Sequence, residues 1–456
     1  MNHLAYSKKI LFCEVASYLP LFAIVFYGQY YTHMDLSKFY RVSDKLLQTD
    51  TVYLARGTFW LNIGSGIGIA IAFLLSVAYA RYIPKEAYGN YRYILSLMGM
   101  AGIFALPGMS TIITRAAARG FDGTFRKASR IIFYSSFGIS AISILIAIIF
   151  AIQKKPILAL SFIIAAIAVP FVEGLGNWRG YLDGKKEFRK KTILNGFAKI
   201  FYGFGMLTAI GIIIFFKLSI LPTTLLLITI FYLTQSLTNL FISRSILQKI
   251  PKNAPEEPAA IRYGLHLSIA TIPSTIANYA DSVILYPILG PSSVALYSFA
   301  IAIPEQFKVL FINVATAIFP KLSVRQYNSE STQSDKKLLL KKLMRASLLT
   351  GAVIVTYIIF APLLYTIFFP RYIDAIPYSR IFALSLILFP LGIFGDALKI
   401  EGKMSKIYLH SIGSPCIQII LLLILIPSFG LWGAIWGRVI GRALNHLLAL
   451  SLYMKA

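Results

Sequence analysis

The chain has 456 residues, 57% of them hydrophobic and only 14% charged, with a mean hydropathy of +0.71. Soluble globular chains run at roughly 45–50% apolar and about 25% charged, so this composition excludes a soluble protein and points to an integral membrane protein. Lys and Arg number 44 against 18 Asp and Glu, a formal net charge of +26, which in a chain with many crossings reports orientation rather than nucleic-acid binding.

Residues 1–50 read as an N-terminal extension. The stretch 10–31 is apolar enough to insert, but it holds Glu14 and Pro20 and follows Lys8 and Lys9. No small-residue cleavage site follows it, against a secretory signal. It reads as interfacial, with Met34 as an alternative start ahead of a complete core. At roughly 20 apolar residues per crossing, spans are predicted over 58–80, 91–113, 130–152, 157–177, 196–216 and 222–242, then over 265–287, 293–318, 346–368, 378–398, 407–428 and 432–453. The fold class is an all-α polytopic membrane protein of about twelve transmembrane helices.

Basic residues crowd alternate loops: Arg115, Arg119, Arg126 and Lys127; Lys185, Lys186, Arg189, Lys190 and Lys191; Arg244 and Lys249; Lys321, Arg325, Lys336 and Lys337; Lys399, Lys403 and Lys406. The opposite loops hold fewer, among them Arg81, Lys85, Arg92, Lys154, Lys155, Lys217, Arg371 and Arg380. Short Lys- and Arg-rich loops stay cytoplasmic, which puts both ends of the twelve-helix core on that side. The loops leave no room for a soluble catalytic domain, so an enzyme is not expected. Cys13 and Cys416 lie far apart in apolar runs, and the five histidines never pair at ligand spacing, so neither a disulfide framework nor a metal site is expected. No nucleotide-binding loop is present, and Gly64, Gly66 and Gly68 sit inside a span where packing explains them.

A shift of 206 residues lays Ile83–Tyr91 on Leu289–Tyr297 and Arg115 on Lys321. An even number of spans per copy makes the copies parallel, so the chain divides into six-helix lobes over 51–250 and 251–456 around a central cleft.

The segments Ala87-Tyr88-Gly89-Asn90-Tyr91, Leu106-Pro107-Gly108 to Arg115, Gly180-Tyr181-Leu182-Asp183-Gly184-Lys185-Lys186-Glu187-Phe188, Gly290-Pro291-Ser292-Ser293-Val294-Ala295-Leu296-Tyr297 and Ile426-Pro427-Ser428-Phe429-Gly430-Leu431-Trp432-Gly433-Ala434 resemble polysaccharide-exporting flippases of the multidrug/oligosaccharidyl-lipid/polysaccharide superfamily. The resemblance covers roughly residues 45–456. It implies a multi-pass transporter of the cytoplasmic (inner) membrane. Such a protein turns a polyprenyl-diphosphate-linked oligosaccharide from the inner to the outer leaflet by alternating access, for surface polysaccharide export. The partners implied are the lipid-linked oligosaccharide, membrane lipids and a polysaccharide polymerase machinery. A cation-coupled multidrug exporter of the same superfamily is the alternative, and a membrane glycosyltransferase or polymerase is a third.

Charged side chains inside a span need a partner or a watery cavity. Arg438 and Arg442, four apart on one helical face with no carboxylate within a turn, suit the diphosphate or Asp281 across the cleft. Lys308 joins them as a candidate substrate-binding residue, or pairs with Glu305 three positions away. Pro304 is expected to bend that helix. Asp281 and Glu305 are the candidates for coupling to H+ or Na+, with no other cofactor expected. Glu173 and Asp396 are expected to meet neighbouring loop lysines, and Gly433, Gly437 and Gly441 form a small-residue packing ridge.

Overall fold

The apolar runs make the helices, and glycines and prolines end them. The computed structural model describes residues 51–454 apart from 329–332, 393, 396–405 and 407, with side chains from Gly64 onward except 308–342, 346 and 349. The extension 1–50, Asp396 and the side chain of Lys308 therefore lie outside the described residues. From Gly64 onward the chain forms one compact unit.

The helices are α1 (Thr51–Tyr82), α2 (Lys85–Ala101), α3 (Gly108–Ala118), α4 (Gly123–Ile152), α5 (Pro156–Glu173), α6 (Trp178–Gly184) and α7 (Phe188–Phe216). They continue as α8 (Ile220–Leu247), α9 (Ala260–Asn328), α10 (Gln333–Phe368), α11 (Ile376–Leu384), α12 (Ser414–Phe429) and α13 (Leu431–Met454). Among the described residues, eight helices are long and apolar enough to cross a membrane, or nine with the bent pair α2 and α3 counted as one span. Two features bring this number to the predicted dozen. Helix α9 is divided at Gly290, the only residue in it with non-helical backbone. Helices α11 and α13 complete the set: α11, at nine residues, is too short to be counted, and in α13 Arg438, Arg442 and His446 lower the apolarity.

Three of the motif segments are chain reversals or breaks. Gly290 (φ +77°) and Gly430 (φ +57°) adopt backbone that a side chain would strain. At Leu106-Pro107 the predicted span 91–113 turns by 53°, because proline cannot continue the hydrogen-bond ladder. That span also starts earlier than predicted, at Lys85, which moves Arg92 from a loop into the second turn of α2. By contrast α9 runs helically through Pro304.

Helix contacts fall into two sets. Helices α4, α5, α8 and α7 pack in succession, with α3 on α6; α9 packs on α11 and α12, and α13 on α11 and α12. The sets meet where α2 and α3 lie along α9. Arg92 and Ser298, equivalent under the 206-residue shift, touch here, with Arg92 Nε donating to Ser298 Oγ at 3.3 Å. Equivalent residues meet where a twofold axis passes between two copies. Close by, Tyr93 stacks on Tyr286 with ring centroids 3.8 Å apart, and a Cβ on Gly89 would overlap the carbonyl of Pro291. On α13, Gly433, Gly437 and Gly441 press on Leu425, Leu422 and Gln418 of α12.

The contrast between two glycines tests this seam. Gly89→Ala is expected to lower stability in detergent by about 1–3 kcal/mol, the usual effect of overpacking. Gly66→Ala, with nothing within 4 Å of a new Cβ, is expected to leave the melting temperature unchanged or raised.

Candidate functional site

A cavity of about 450 Å³ lies between the two sets of helices. Helix α2 contributes Arg92, α5 Glu173, α8 Tyr232, α9 Asp281 and Glu305, and α13 Arg438. All of these lie within predicted or observed spans, so the cavity is a polar space inside an apolar protein.

The arginines of α13 are engaged by carboxylates on α9. Arg438 reaches Asp281 Oδ2 through Nε at 2.7 Å and Nη2 at 2.5 Å, and Nη2 also donates to the Asn278 carbonyl at 2.8 Å. Asp281, 2% exposed, further accepts from the Tyr297 hydroxyl and from the Ser282 N–H. Arg442 pairs with Glu305, donates to Ser385 Oγ at 3.1 Å and lies over the Phe382 ring. Of the two readings for Arg438, a partner in Asp281 across the cleft is the one seen in this conformation. Glu305 takes Arg442 as a partner, and its expected pairing with Lys308 lies outside the described residues. Helix α13 crosses both limbs of α9, so Arg438 meets the limb before Gly290 and Arg442 the limb after it.

Arg92 and Glu173 were misplaced by sequence reasoning. Arg92 is buried in the cavity wall rather than in a loop, and its equivalence to Ser298 was the available signal. Glu173 faces the cavity instead of loop lysines; the cation acting on it is Arg179. No ion pair to its carboxylate exists among the described residues. Tyr297, quoted above only as part of a motif, is a donor to Asp281. Among the described residues no three carboxylates, imidazoles or thiols converge as metal ligands, and Cys416 is exposed.

Two seals flank the cavity. One turn beyond Arg92, Tyr88 and Tyr372 pack on Phe299 with centroids 5.0 Å and 3.9 Å away, and Lys85 lies 3.6 Å from Asp374. Toward the basic loops, Gly108 N–H donates to Ser268 Oγ at 3.0 Å. There the buried Glu257 takes Arg115 at 2.9 Å and Arg119 at 2.7 Å, and Lys127 meets Glu256 at 2.6 Å. These loop cations thus tie down the connection around Glu256 and Glu257.

Breaking one side of the Arg438–Asp281 pair strands a buried charge. Asp281→Ala is expected to cost roughly 3–5 kcal/mol of stability. The double variant Asp281→Ala with Arg438→Ala, which removes both charges, is expected to melt above either single variant in detergent. Equal melting of single and double variants would refute the pairing.

The fold has solved counterparts. The lipid II flippase MurJ in an inward closed conformation superposes with a TM-score of 0.65 at 14% identity, over 86% of each chain. An inward-facing multidrug resistance MATE family transporter of the MOP superfamily gives 0.62 at 15% identity, over 84% of this chain and 93% of that one. A MOP superfamily transporter from Pyrococcus furiosus gives 0.54 at 18% identity, over 90% of this chain and 96% of that one. At such identities the likeness is one of fold. No curated protein matches the sequence. The family model described as polysaccharide biosynthesis protein matches residues 54–326, more than half of a chain whose helices, seam and cavity fit that of a multi-pass membrane protein. The chain is a member of this polysaccharide biosynthesis protein family.

Proposed function

We propose that the protein is a flippase that carries a polyprenyl-diphosphate-linked oligosaccharide from the inner to the outer leaflet of the cytoplasmic membrane. The observation that carries this reading is the membrane-embedded cavity whose arginines are held by exchangeable carboxylates. A diphosphate competes well for a guanidinium, because its oxygens match the planar fork of donors. On loading, the diphosphate takes Arg438 and Arg442, and the released Asp281 and Glu305 take up H+ or Na+. Lys308 lies one turn from Glu305 on α9 and adds a further cation to that path. The lipid tail stays in the bilayer while the sugar passes through the polar space.

Membership in a polysaccharide biosynthesis family supports this cargo class, and the fold supports alternating access by the halves 51–250 and 251–456. A cavity of about 450 Å³ falls within the roughly 300–1,000 Å³ of small-molecule sites and is too small for a diphosphate with several sugars. Loading therefore requires the halves to part. The basic loops face the cytoplasm in this reading, as short Lys- and Arg-rich loops do, and a polysaccharide polymerase machinery would consume the product. The reading assigns no catalytic step to the chain.

One observation favours the multidrug alternative: Glu173 offers the cavity a carboxylate without an ion pair, a feature that suits a cationic drug. Transport in proteoliposomes separates the two. Diphosphate-linked oligosaccharide is expected to be flipped by the wild type and not by the double variant Arg438→Ala with Arg442→Ala or by the charge-neutral Asp281→Asn with Arg438→Gln, both checked for folding. Efflux of cationic dyes without flipping of lipid would overturn the flippase reading.

A further inference from the structure

The arginines of α13 are paired with carboxylates. Among the described residues, a cation inside a span without such a partner lies on α7. Lys199 is within the predicted span 196–216, about 16 Å along α7 from its start at Phe188 by the helical rise of 1.5 Å per residue. Its side chain does not snorkel back to the basic loops. The ammonium lies across α1 at Gly68, where a Cβ would overlap Nζ and press on Cε. Gly68 is thus a notch that admits the Lys199 head group. Among the described residues no acceptor or carboxylate engages Nζ.

A second cation stands beside it. Arg179 is near enough for the two charges to repel. Its direct contacts are neutral, with Glu173 acting on it only through space: Nε donates to Asn195 Oδ1 at 2.8 Å, Nη1 to the Gly176 carbonyl at 3.4 Å, and the guanidinium stacks on Trp178 at 4.6 Å. Asn195 is one turn before Lys199 on the same face of α7. All three side chains are partly accessible. Two like charges held together in an apolar surrounding are costly unless an anion completes them.

We infer that Lys199 and Arg179, with Asn195 and the Gly68 notch, form a binding site for the phosphate groups of a lipid headgroup. Under the flippase reading, on which this assignment of the ligand rests, that headgroup is the cargo diphosphate. Glu173 acts on Arg179 and lines the central cavity, so the site adjoins the transport path on its way to Arg438.

Purified full-length protein titrated with geranylgeranyl diphosphate, read by native mass spectrometry, tests the site. Lys199→Gln is expected to weaken binding by about tenfold, the loss of one charge-assisted hydrogen bond, and Gly68→Ala to weaken it by displacing the ammonium. Lys217→Gln, at the exposed far end of α7, is expected to change nothing. Wild-type affinity in folded Lys199→Gln and Gly68→Ala would overturn the site and leave the flippase reading standing. Equal competition by phosphatidylglycerol would assign the site to bulk phospholipid and overturn its place on the cargo path. Failure of the wild type to bind the diphosphate lipid would overturn both readings.

Discussion

An ionised side chain inside a bilayer must find an opposite charge or water, and the arrangement of this protein follows from how its buried arginines meet that demand. Arg438 and Arg442 are one turn apart on α13, and they draw in carboxylates from opposite limbs of the same helix, α9. The two ion pairs therefore fasten α13 across the Gly290 break. Both partners of both pairs belong to residues 260–454, so this strong electrostatic network lies within one half of the molecule.

The seam between the halves is made of weaker contacts. Arg92 meets a serine hydroxyl, Tyr286 donates to Asn90 at 2.7 Å, Tyr93 stacks on Tyr286, and glycines allow backbones to touch. Neutral hydrogen bonds and ring contacts contribute about 1 kcal/mol each, whereas breaking a buried ion pair costs several. Under the flippase reading this division suits alternating access: buried ion pairs lie within a half, and the Lys85–Asp374 pair across the seam is exposed, so parting there strands no buried charge. The connection at Glu256 and Glu257 is bound to the N-terminal half by Arg115, Arg119 and Lys127. Ala259, just ahead of α9, has left-handed backbone.

Much of this was legible in the sequence, and the reasons are specific. Loop charge and apolar length yield the crossings because bilayer thickness fixes helix length. The 206-residue shift placed Arg92 opposite Ser298, and the motif glycines fell at the breaks, since only glycine tolerates their backbone. Pairing was less legible. Spacing along one helix suggests Glu305 with Lys308, whereas the pairing of Glu305 with Arg442 joins two helices and leaves no trace in local spacing. Arg92 was set outside the membrane because hydropathy measures mean apolarity, and a polar residue at a span's end shifts the apparent boundary. The span 432–453 was legible despite Arg438 and Arg442, and α13 runs Leu431–Met454. Lys199 was overlooked because one lysine barely alters the mean of a long apolar run.

Charge bookkeeping constrains how such a cavity can be loaded. Arg92, Arg438 and Arg442 face Glu173, Asp281 and Glu305, so the formal charge of the set is zero. A diphosphate diester brings two negative charges. Bound alone it would leave two unbalanced charges at low dielectric, a state that costs several kcal/mol per ion. Neutrality returns if two of the three carboxylates each take a proton or a sodium ion as the diphosphate takes their arginines. Under the flippase reading, coupling is therefore a consequence of ion pairing rather than a separate device. The carboxylates nearest the arginines, Asp281 and Glu305, are the ones released, while Glu173 stays beside Arg179 at the mouth of the path.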